Sequence, residues 1–296
     1  MTLALKPLHP LFAVEMRGAD LTRPLDAATR SAIERAMDQY GVGVLPEQAL
    51  DDERQVAFAS LYGPLEVAPL VQGKTGTRGL GGKRIKHREI FDISNLDDDG
   101  RILDADDQRA AYSLGNQLWH TDSSFRQKSA SWSMLHARIV PPDGADTEFV
   151  DTRAVYDALP DATKVRIEGL IAEHSIWHSR AKLGNYVPNE EERKSRPPAQ
   201  HALVRHHVSG RKALYIASHA SHIIGMPVDE GRALLDELIA FATQPKFVYA
   251  HKWRVGDLVI WDNRCTLHRA TPYESQTHVR DLRRTTIIDT AYAMAQ

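Results

Sequence analysis

Hydrophobic residues recur every three to four positions in several segments, the spacing of the buried side of an amphipathic helix. In residues 26–40, Ile33, Met37 and Tyr40 fall on one face, and Gly41 marks the C-terminal end. Residues 227–243 carry a longer stripe of leucine, isoleucine and alanine. The pattern predicts helices over 26–40, 51–62, 161–173 and 227–243.

Short runs rich in β-branched and aromatic residues lie between and after these segments. Turn residues at 209–211 and 254–256 indicate antiparallel connections between successive strands. Many short strands separated by turns favour a jelly roll or a related barrel, here with flanking helices. The predicted strands are 42–45, 202–208, 213–217, 246–251, 257–261 and 285–288.

Composition narrows the class of protein. A chain of 296 residues, 42% of them hydrophobic, is long enough to bury a sizeable core, and we predict one domain over 1–296. The net charge of −2 provides no global basic field, so nucleic acid is not an expected partner. No apolar run is long enough for a membrane span and no targeting segment is evident, so a soluble, cytoplasmic protein is expected. The single cysteine, Cys265, excludes an intramolecular disulfide and a cysteine-based zinc cluster.

The triplet His120-Thr121-Asp122, together with the distant His268, carries the clearest chemistry. In an extended strand, residues i and i+2 project to the same face, so His120 and Asp122 can bind one ion, and antiparallel closure of a barrel can bring His268 beside them. Two histidines and one carboxylate with open positions opposite form the ligand set of non-haem Fe(II) oxygenases. A zinc hydrolase can use the same ligand types and remains an alternative.

Segments around the triplet and along nearly the whole chain resemble the alpha-ketoglutarate-dependent taurine and 2,4-dichlorophenoxyacetate dioxygenase family, and the 2,4-dichlorophenoxyacetate branch in particular. The resemblance implies a double-stranded β-helix. It also implies Fe(II) held by His120, Asp122 and His268, with 2-oxoglutarate (alpha-ketoglutarate) and O2 as co-substrates. The similar segments are 6–12, 91–95, 116–125, 140–142, 146–149, 153–160, 218–222, 255–259 and 280–286.

Three further roles follow from the resemblance. Arg280 matches the arginine that binds the distal carboxylate of 2-oxoglutarate, and Thr147 matches a threonine that hydrogen-bonds the same co-substrate. Arg284 matches the arginine that holds the acidic head of the prime substrate. Strand alternation places Arg280 and Arg284 on one face and Arg283 on the other. The 12 positions from His268 to Arg280 indicate an insertion at 271–277 relative to the family.

Other polar residues are candidates for the substrate pocket. By the same resemblance, His206, His219 and His222 are predicted to line it, with His207 facing away. A purely structural role for each histidine stays open. Asn116 is a candidate for orienting substrate or a metal ligand. The glycine-rich segment 71–88 is predicted to be a loop, either near the mouth of the site or merely solvated, because its spacing does not fit a phosphate-binding loop.

The predicted activity is oxidative cleavage of aryloxyalkanoate acids of the phenoxyacetate type to a phenol and an oxo acid, with succinate and CO2. The expected partner is a small-molecule carboxylate substrate, and homo-oligomerisation is left open. Three alternatives remain: a taurine or alkylsulfonate dioxygenase, the zinc hydrolase, and a non-catalytic barrel that binds an acidic ligand.

Overall fold

The computed structural model describes residues 3–68, 84–183 and 188–291. The strands in these ranges are β1 (Ala4–Pro7), β2 (Val14–Arg17), β3 (Val42–Leu45), β4 (Phe91–Ser94), β5 (Ala130–Ile139), β6 (Thr147–Asp151), β7 (Ile171–His174), β8 (Ala199–Ala202), β9 (Val204–His206), β10 (Lys212–Leu214), β11 (Ala220–Ile223), β12 (Val248–His251), β13 (Leu258–Asp262), β14 (Thr266–Ala270) and β15 (Asp281–Ile288). The helices are α1 (Ala27–Tyr40), α2 (Asp52–Ser60), α3 (Gln108–Ser113), α4 (Thr152–Ala158), α5 (Asp161–Ile167), α6 (Ile176–Ala181), α7 (Glu190–Ser195) and α8 (Val228–Ala242), with 3-10 turns at Leu114–Gln117 and Pro245–Phe247.

Seven strands form the main sheet in the order β1-β2-β3-β13-β5-β15-β4. Strand β13 pairs antiparallel with both β3 and β5, and β15 pairs antiparallel with both β5 and β4. The second sheet contains β12-β6-β14, also antiparallel. Smaller sheets, β11-β7-β8 and β10-β9, complete the pairing in the described ranges.

Apolar side chains between the main and second sheets form the interior of the barrel. Phe149 of β6 is fully buried and clusters with Leu135, Val259, Trp261 and Leu282 of the main sheet. Helices α1 and α2 cover the outer face of the main sheet, and α8 packs over β11 and β7 in a third cluster. The two sheets are therefore held together by a continuous apolar layer, and the polar site lies at one end of that layer.

The ends of α1 show how the sequence sets the helix boundaries. The Asp26 carboxylate accepts a hydrogen bond from the Thr29 amide at 2.6 Å, which caps the N-terminus. Gly41 ends the helix with a φ of 68°, a conformation that costs little for glycine, and its N–H donates to the Met37 carbonyl at 2.8 Å. The chain then enters β3 directly.

Most predicted elements are confirmed, with two corrections. Helices occur within 26–40, 51–62 and 227–243, and each predicted strand segment overlaps an observed strand, although 213–217 does so only at residues 213–214. The helix predicted over 161–173 ends at Ile167, because Gly169 takes a φ of 74° and the chain returns as β7. The turn at 254–256 joins strands of two different sheets rather than a hairpin.

Two remaining predictions concern loops and membranes. Most of the glycine-rich segment, residues 71–83, lies outside the described residues. Its end is described: Arg84 forms an ion pair with Asp281 at 2.9 Å. Across the described part of the chain, none of the helices combines the length and apolar character that a membrane crossing requires.

Candidate active site

Two predicted ligands meet through the backbone. His120 lies just outside regular strands and forms an isolated antiparallel bridge with His268 of β14. The His120 amide donates to the His268 carbonyl at 3.0 Å, and the His268 amide donates to the His120 carbonyl at 2.8 Å. This bridge extends the edge of the second sheet and places the two imidazole centroids 4.1 Å apart.

The third predicted ligand is held by the main sheet. One Asp122 carboxylate oxygen accepts a hydrogen bond from Ser133 of β5 at 2.7 Å, and the other accepts from Arg284 of β15. Asn263 supports the same group, because its side-chain amide donates to the Ser133 hydroxyl at 2.9 Å and its oxygen accepts from the Asp122 amide at 3.0 Å. Asp122 is thereby fixed against β5 and β15, opposite the two histidines.

The three side chains fit a metal ion. One nitrogen of each histidine and one oxygen of Asp122 lie within 4.8 Å of one another, and all three residues are buried. Nδ1 of His120 donates to the Leu118 carbonyl at 2.7 Å, which leaves Nε2 to act as a ligand. Burial lowers the pKa of His120 and of His268, which keeps both imidazoles neutral as metal binding requires.

The charge on Asp122 suits the same role. Burial raises the pKa of this carboxyl, but the charge of the Arg284 guanidinium and the hydrogen bond from Ser133 lower it, and the resulting pKa lies below its ordinary value. The group is therefore an ionised carboxylate in a cluster whose other two members are neutral. A buried pair of imidazoles and one carboxylate, open on one side, is typical of mononuclear non-haem metal oxygenases.

A cavity of about 500 Å³ opens beside His120 and His268. Arg280 and Thr147 line it together with His120 and His268. Arg280 is 6% exposed and forms no ion pair with an acidic side chain in the described ranges, and the rest of the chain contains no Asp or Glu. Burial lowers its pKa to about 10, which still leaves it charged at neutral pH. A buried cation without an acidic partner is costly, and an anion bound in the cavity would offset that cost.

Arg284 stands between this cavity and a second, smaller one. The smaller cavity has a volume of about 120 Å³ and shares Asn116, His120 and Arg284 with the larger cavity. Arg284 packs over the Phe91 ring at 5.2 Å while its Nη1 contacts Asp122. As predicted from alternation, Arg283 turns the other way and pairs with Asp281 at 3.1 Å.

The predicted pocket histidines separate into different environments. His219 is buried, lines the smaller cavity and meets Ser124 through Nδ1 at 3.1 Å. His206 and His222 line neither cavity, which corrects their predicted placement. His206 is exposed on β9 because its inward-facing neighbour is His207, and His222 turns to Glu173 and Ser221.

Several residues near the site were missed by the sequence reasoning. Ser133 and Asn263 hold Asp122, and Arg180 of α6 lines the smaller cavity. Serine, asparagine and arginine are common residue types, and the partners of these three are distant in sequence. Among these three residues, only Asn263 could have been suspected from the sequence, because it lies five positions before His268 in the chain.

A second group of possible metal ligands consists of His207, Asp262 and Cys265. Asp262 already pairs with Arg264 at 2.5 Å and with Nε2 of His207 at 3.0 Å. Burial raises the pKa of the Cys265 thiol, which keeps the sulfur protonated and a poor ligand. We interpret this group as a structural ion-pair network.

Comparisons with known proteins identify the family. Residues 4–286 match the taurine catabolism dioxygenase TauD, TfdA family. The chain is 47% identical over 292 residues to the alpha-ketoglutarate-dependent 2,4-dichlorophenoxyacetate dioxygenase of Cupriavidus pinatubonensis, covering 98% of this chain and 99% of that protein. It is 36% identical over 277 residues to the (S)-phenoxypropionate/alpha-ketoglutarate-dioxygenase of Sphingobium herbicidovorans, covering 90% and 89%. The crystal structure of AAD-2 in complex with Mn(II) and N-oxalylglycine superposes with a TM-score of 0.90 at 43% identity, covering 100% of both chains.

The chain therefore belongs to the TauD/TfdA dioxygenase family, and the family predicted from the sequence is confirmed. The predicted jelly roll is confirmed by the same structural likeness, and the protein is an oxidoreductase of the dioxygenase type.

Proposed function

We propose that the protein is an Fe(II)- and 2-oxoglutarate-dependent dioxygenase that cleaves aryloxyalkanoate acids. One observation carries the proposal: both histidines of the buried cluster line a cavity together with Arg280, a buried cation that has no acidic partner among the described residues. A metal ligand set beside an unpaired guanidinium suits a co-substrate that chelates metal at one end and carries a carboxylate at the other.

His120, Asp122 and His268 hold the iron in this proposal. When bound, Fe(II) together with 2-oxoglutarate activates O2 for oxidation of a nearby carbon–hydrogen bond. The chain contributes the geometry: the carbonyl of Leu118 fixes the His120 ring, and Ser133 and Arg284 fix both oxygens of Asp122. Burial of the cluster keeps bulk water away from the reacting atoms.

Arg280 and Thr147 position the co-substrate. The Arg280 guanidinium can pair with the distal carboxylate through two parallel hydrogen bonds, which sets the direction of the bound molecule. The Thr147 hydroxyl accepts from Nε1 of Trp253 at 3.0 Å, so its own hydrogen is free to be donated to a carboxylate oxygen.

The prime substrate fits the remaining space. The larger cavity has an apolar wall formed by Ala110, Ala111 and Leu114, which suits an aryl ring, and Arg284 supplies a cation for the carboxylate. A carboxylate at Arg284 places the carbon between it and the ether oxygen close to the metal ligands. Hydroxylation of that carbon gives a hemiacetal, which breaks its carbon–oxygen bond to release a phenol and an oxo acid while 2-oxoglutarate yields succinate and CO2.

Product analysis tests the proposal. The purified protein, supplied with Fe(II), 2-oxoglutarate and O2, is incubated separately with 2,4-dichlorophenoxyacetate and with taurine. We expect phenol and succinate in equal amounts from the first and no sulfite from the second. Sulfite without phenol would favour the alkylsulfonate alternative, and phenol formed without any need for 2-oxoglutarate would favour a hydrolase.

A further inference from the structure

The smaller cavity beside the metal ligands is strongly cationic. Five arginines line it, together with three acidic residues. Each of the acids already has an arginine partner: Asp122 contacts Arg284, Asp92 lies 3.7 Å from Arg84, and Glu66 lies 3.9 Å from Arg126. The lining arginines are Arg109, Arg126, Arg180, Arg196 and Arg284.

Two of these arginines, Arg180 and Arg196, lack an acidic partner. Arg109 pairs with Asp107 at 2.7 Å, whereas neither Arg180 nor Arg196 forms an ion pair in the described ranges, and the other residues include no Asp or Glu. The cavity therefore keeps an excess of positive charge.

Arg180 is the more deeply placed of the two. It is 6% exposed, and its Nε has no hydrogen-bond partner among the described residues. Its guanidinium lies 4.2 Å from the centroid of the Tyr112 ring. The backbone of Gly115 makes room for it, because a Cβ at that position would lie 1.4 Å from Nη1 of Arg180. Arg180 also hydrogen-bonds the Tyr112 hydroxyl, but it has no carboxylate partner in the described part of the chain. A buried guanidinium without a carboxylate is costly, and an anion bound in the cavity would offset that cost.

We propose that Arg180 and Arg284 together bind the carboxylate of the prime substrate in the smaller cavity. This inference rests on the proposed function and adds a specificity-determining residue to it. A volume of about 120 Å³ holds a carboxylate, while the aryl ring extends into the adjoining 500 Å³ cavity. Arg284 already donates to Asp122, so Arg180 supplies the cation that is not engaged by a metal ligand.

The charge of the substrate gives a direct test. Binding of 2,4-dichlorophenoxyacetate and of its neutral amide is measured by calorimetry on protein loaded with Mn(II) and 2-oxoglutarate, without turnover. We expect Arg180→Met to weaken binding of the acid about 10- to 100-fold and binding of the amide less than about twofold, since a charge-assisted contact is lost. Arg180→Lys should retain part of the preference for the acid. Gly115→Ala displaces the Arg180 guanidinium without removing its charge, and it should also reduce the preference for the acid.

Arg109→Met is the matched control, because Arg109 lines the same cavity but is already paired with Asp107. It should leave the ratio of acid to amide binding unchanged. The thermal midpoint of Arg180→Met should be equal to or above that of the wild type, because a buried charge without a carboxylate partner is removed. A purely structural role predicts a lower midpoint with an unchanged ratio, and that result would overturn the inference.

The test separates the two proposals. If the wild type releases phenol and Arg180→Met keeps the acid-to-amide ratio, only the role of Arg180 is wrong. If Arg109→Met lowers the ratio of acid to amide binding as much as Arg180→Met does, the preference for the acid depends only on the total positive charge of the cavity. The inference about Arg180 then also fails. If the wild type neither binds nor cleaves the acid, the proposed substrate class falls, and the role of Arg180 falls with it.

Discussion

Asp122 differs from the two histidines because both of its oxygens have protein partners. Ser133 contacts one oxygen and Arg284 the other, while the Asn263 side chain contacts both the Asp122 backbone and Ser133. A carboxylate fixed in this way keeps its orientation when the metal is absent. We therefore expect the Ser133 hydroxyl to contribute to metal affinity although it is not a predicted ligand.

The three predicted ligands give the first test. His120→Ala, Asp122→Ala and His268→Ala should each abolish turnover and leave the far-ultraviolet circular dichroism unchanged, because each change removes one of three protein ligands. Binding of Mn(II) should be lost in parallel, measured by calorimetry. Full turnover by any one of these variants would show that the ligand set is wrong.

Ser133→Ala gives a finer test. Metal affinity should fall about 10- to 100-fold, as is usual when a partner of a ligand is removed. Ser131→Ala is the control, because Ser131 lies on the same strand and its hydroxyl donates only to the Ile287 carbonyl at 3.3 Å. Equal affinities in the two variants would argue against the contact between Ser133 and Asp122.

Arg280 can be tested through the kinetics of the co-substrate. Arg280→Ala should raise the KM for 2-oxoglutarate by about one to two powers of ten, since a contact between charged groups contributes about 1.5–3 kcal/mol. The KM for the aryloxyacetate should change much less, and Arg280→Lys should recover part of the loss. A larger effect on the aryloxyacetate would mean that Arg280 and Arg284 have the opposite roles.

At the level of elements, residue spacing predicted some features well and others poorly. The helices α1 and α8 were predictable because their apolar stripes and terminal residues agree. The segment 161–173 was not, because a helix and a strand follow each other within it and only Gly169 marks the change. His206 was misplaced since alternation along β9 shows that neighbours face opposite ways without showing which one faces inward.

For the metal triplet, too, residue spacing alone did not predict the local structure correctly. It was predicted to lie in a strand, yet regular pairing reaches only His120, and Asp122 lies in a turn. The two side chains still share a side, because Thr121 between them turns away and donates to the Asn263 carbonyl at 2.8 Å. The partners that hold Asp122 come from β5, β15 and the turn after β13. Contacts between segments so far apart in the chain produce no recognisable residue spacing, so the sequence did not predict them.

The end of α1 offers a stability test. Gly41→Ala should lower the free energy of unfolding by more than the roughly 1–2 kcal/mol cost of a left-handed residue. The added methyl would lie 2.9 Å from Nη2 of Arg153, which joins α1 to Asp151. Gly210→Ala is the control, with a φ of 82° and open space around it. Urea unfolding curves should show the larger loss for Gly41→Ala, and equal losses would mean that the contact with Arg153 is unimportant.

For the whole molecule, buried histidines predict how stability depends on pH. Burial lowers the pKa of His136 and of His201 to about 4, whereas an unfolded histidine titrates near 6.5. Below pH 6.5 the unfolded chain takes up protons that the folded protein does not, so stability is fully present above this pH and is lost towards pH 4. Each histidine should contribute a slope of up to about 1.4 kcal/mol per pH unit.

His136→Gln isolates one of these contributions, because a glutamine amide can replace the contact between Nε2 and the Gln48 carbonyl. Denaturation of metal-free protein at a series of pH values should show a smaller slope for this variant between pH 6.5 and 4. His206→Gln, at an exposed position, serves as the control. An unchanged slope in His136→Gln would mean that His136 is already protonated in the folded state.

The bridge between His120 and His268 ties those two residues to the second sheet, while Asp122 is tied to the main sheet. An ion held by all three would connect opposite walls of the barrel at its open end, where the apolar layer stops. The ion would then stabilise the contact between the two walls as well as take part in catalysis. Loading the metal should slow the local opening that exposes the two bridge amides to solvent exchange, and the mouth of the barrel would become rigid just when the co-substrates can bind.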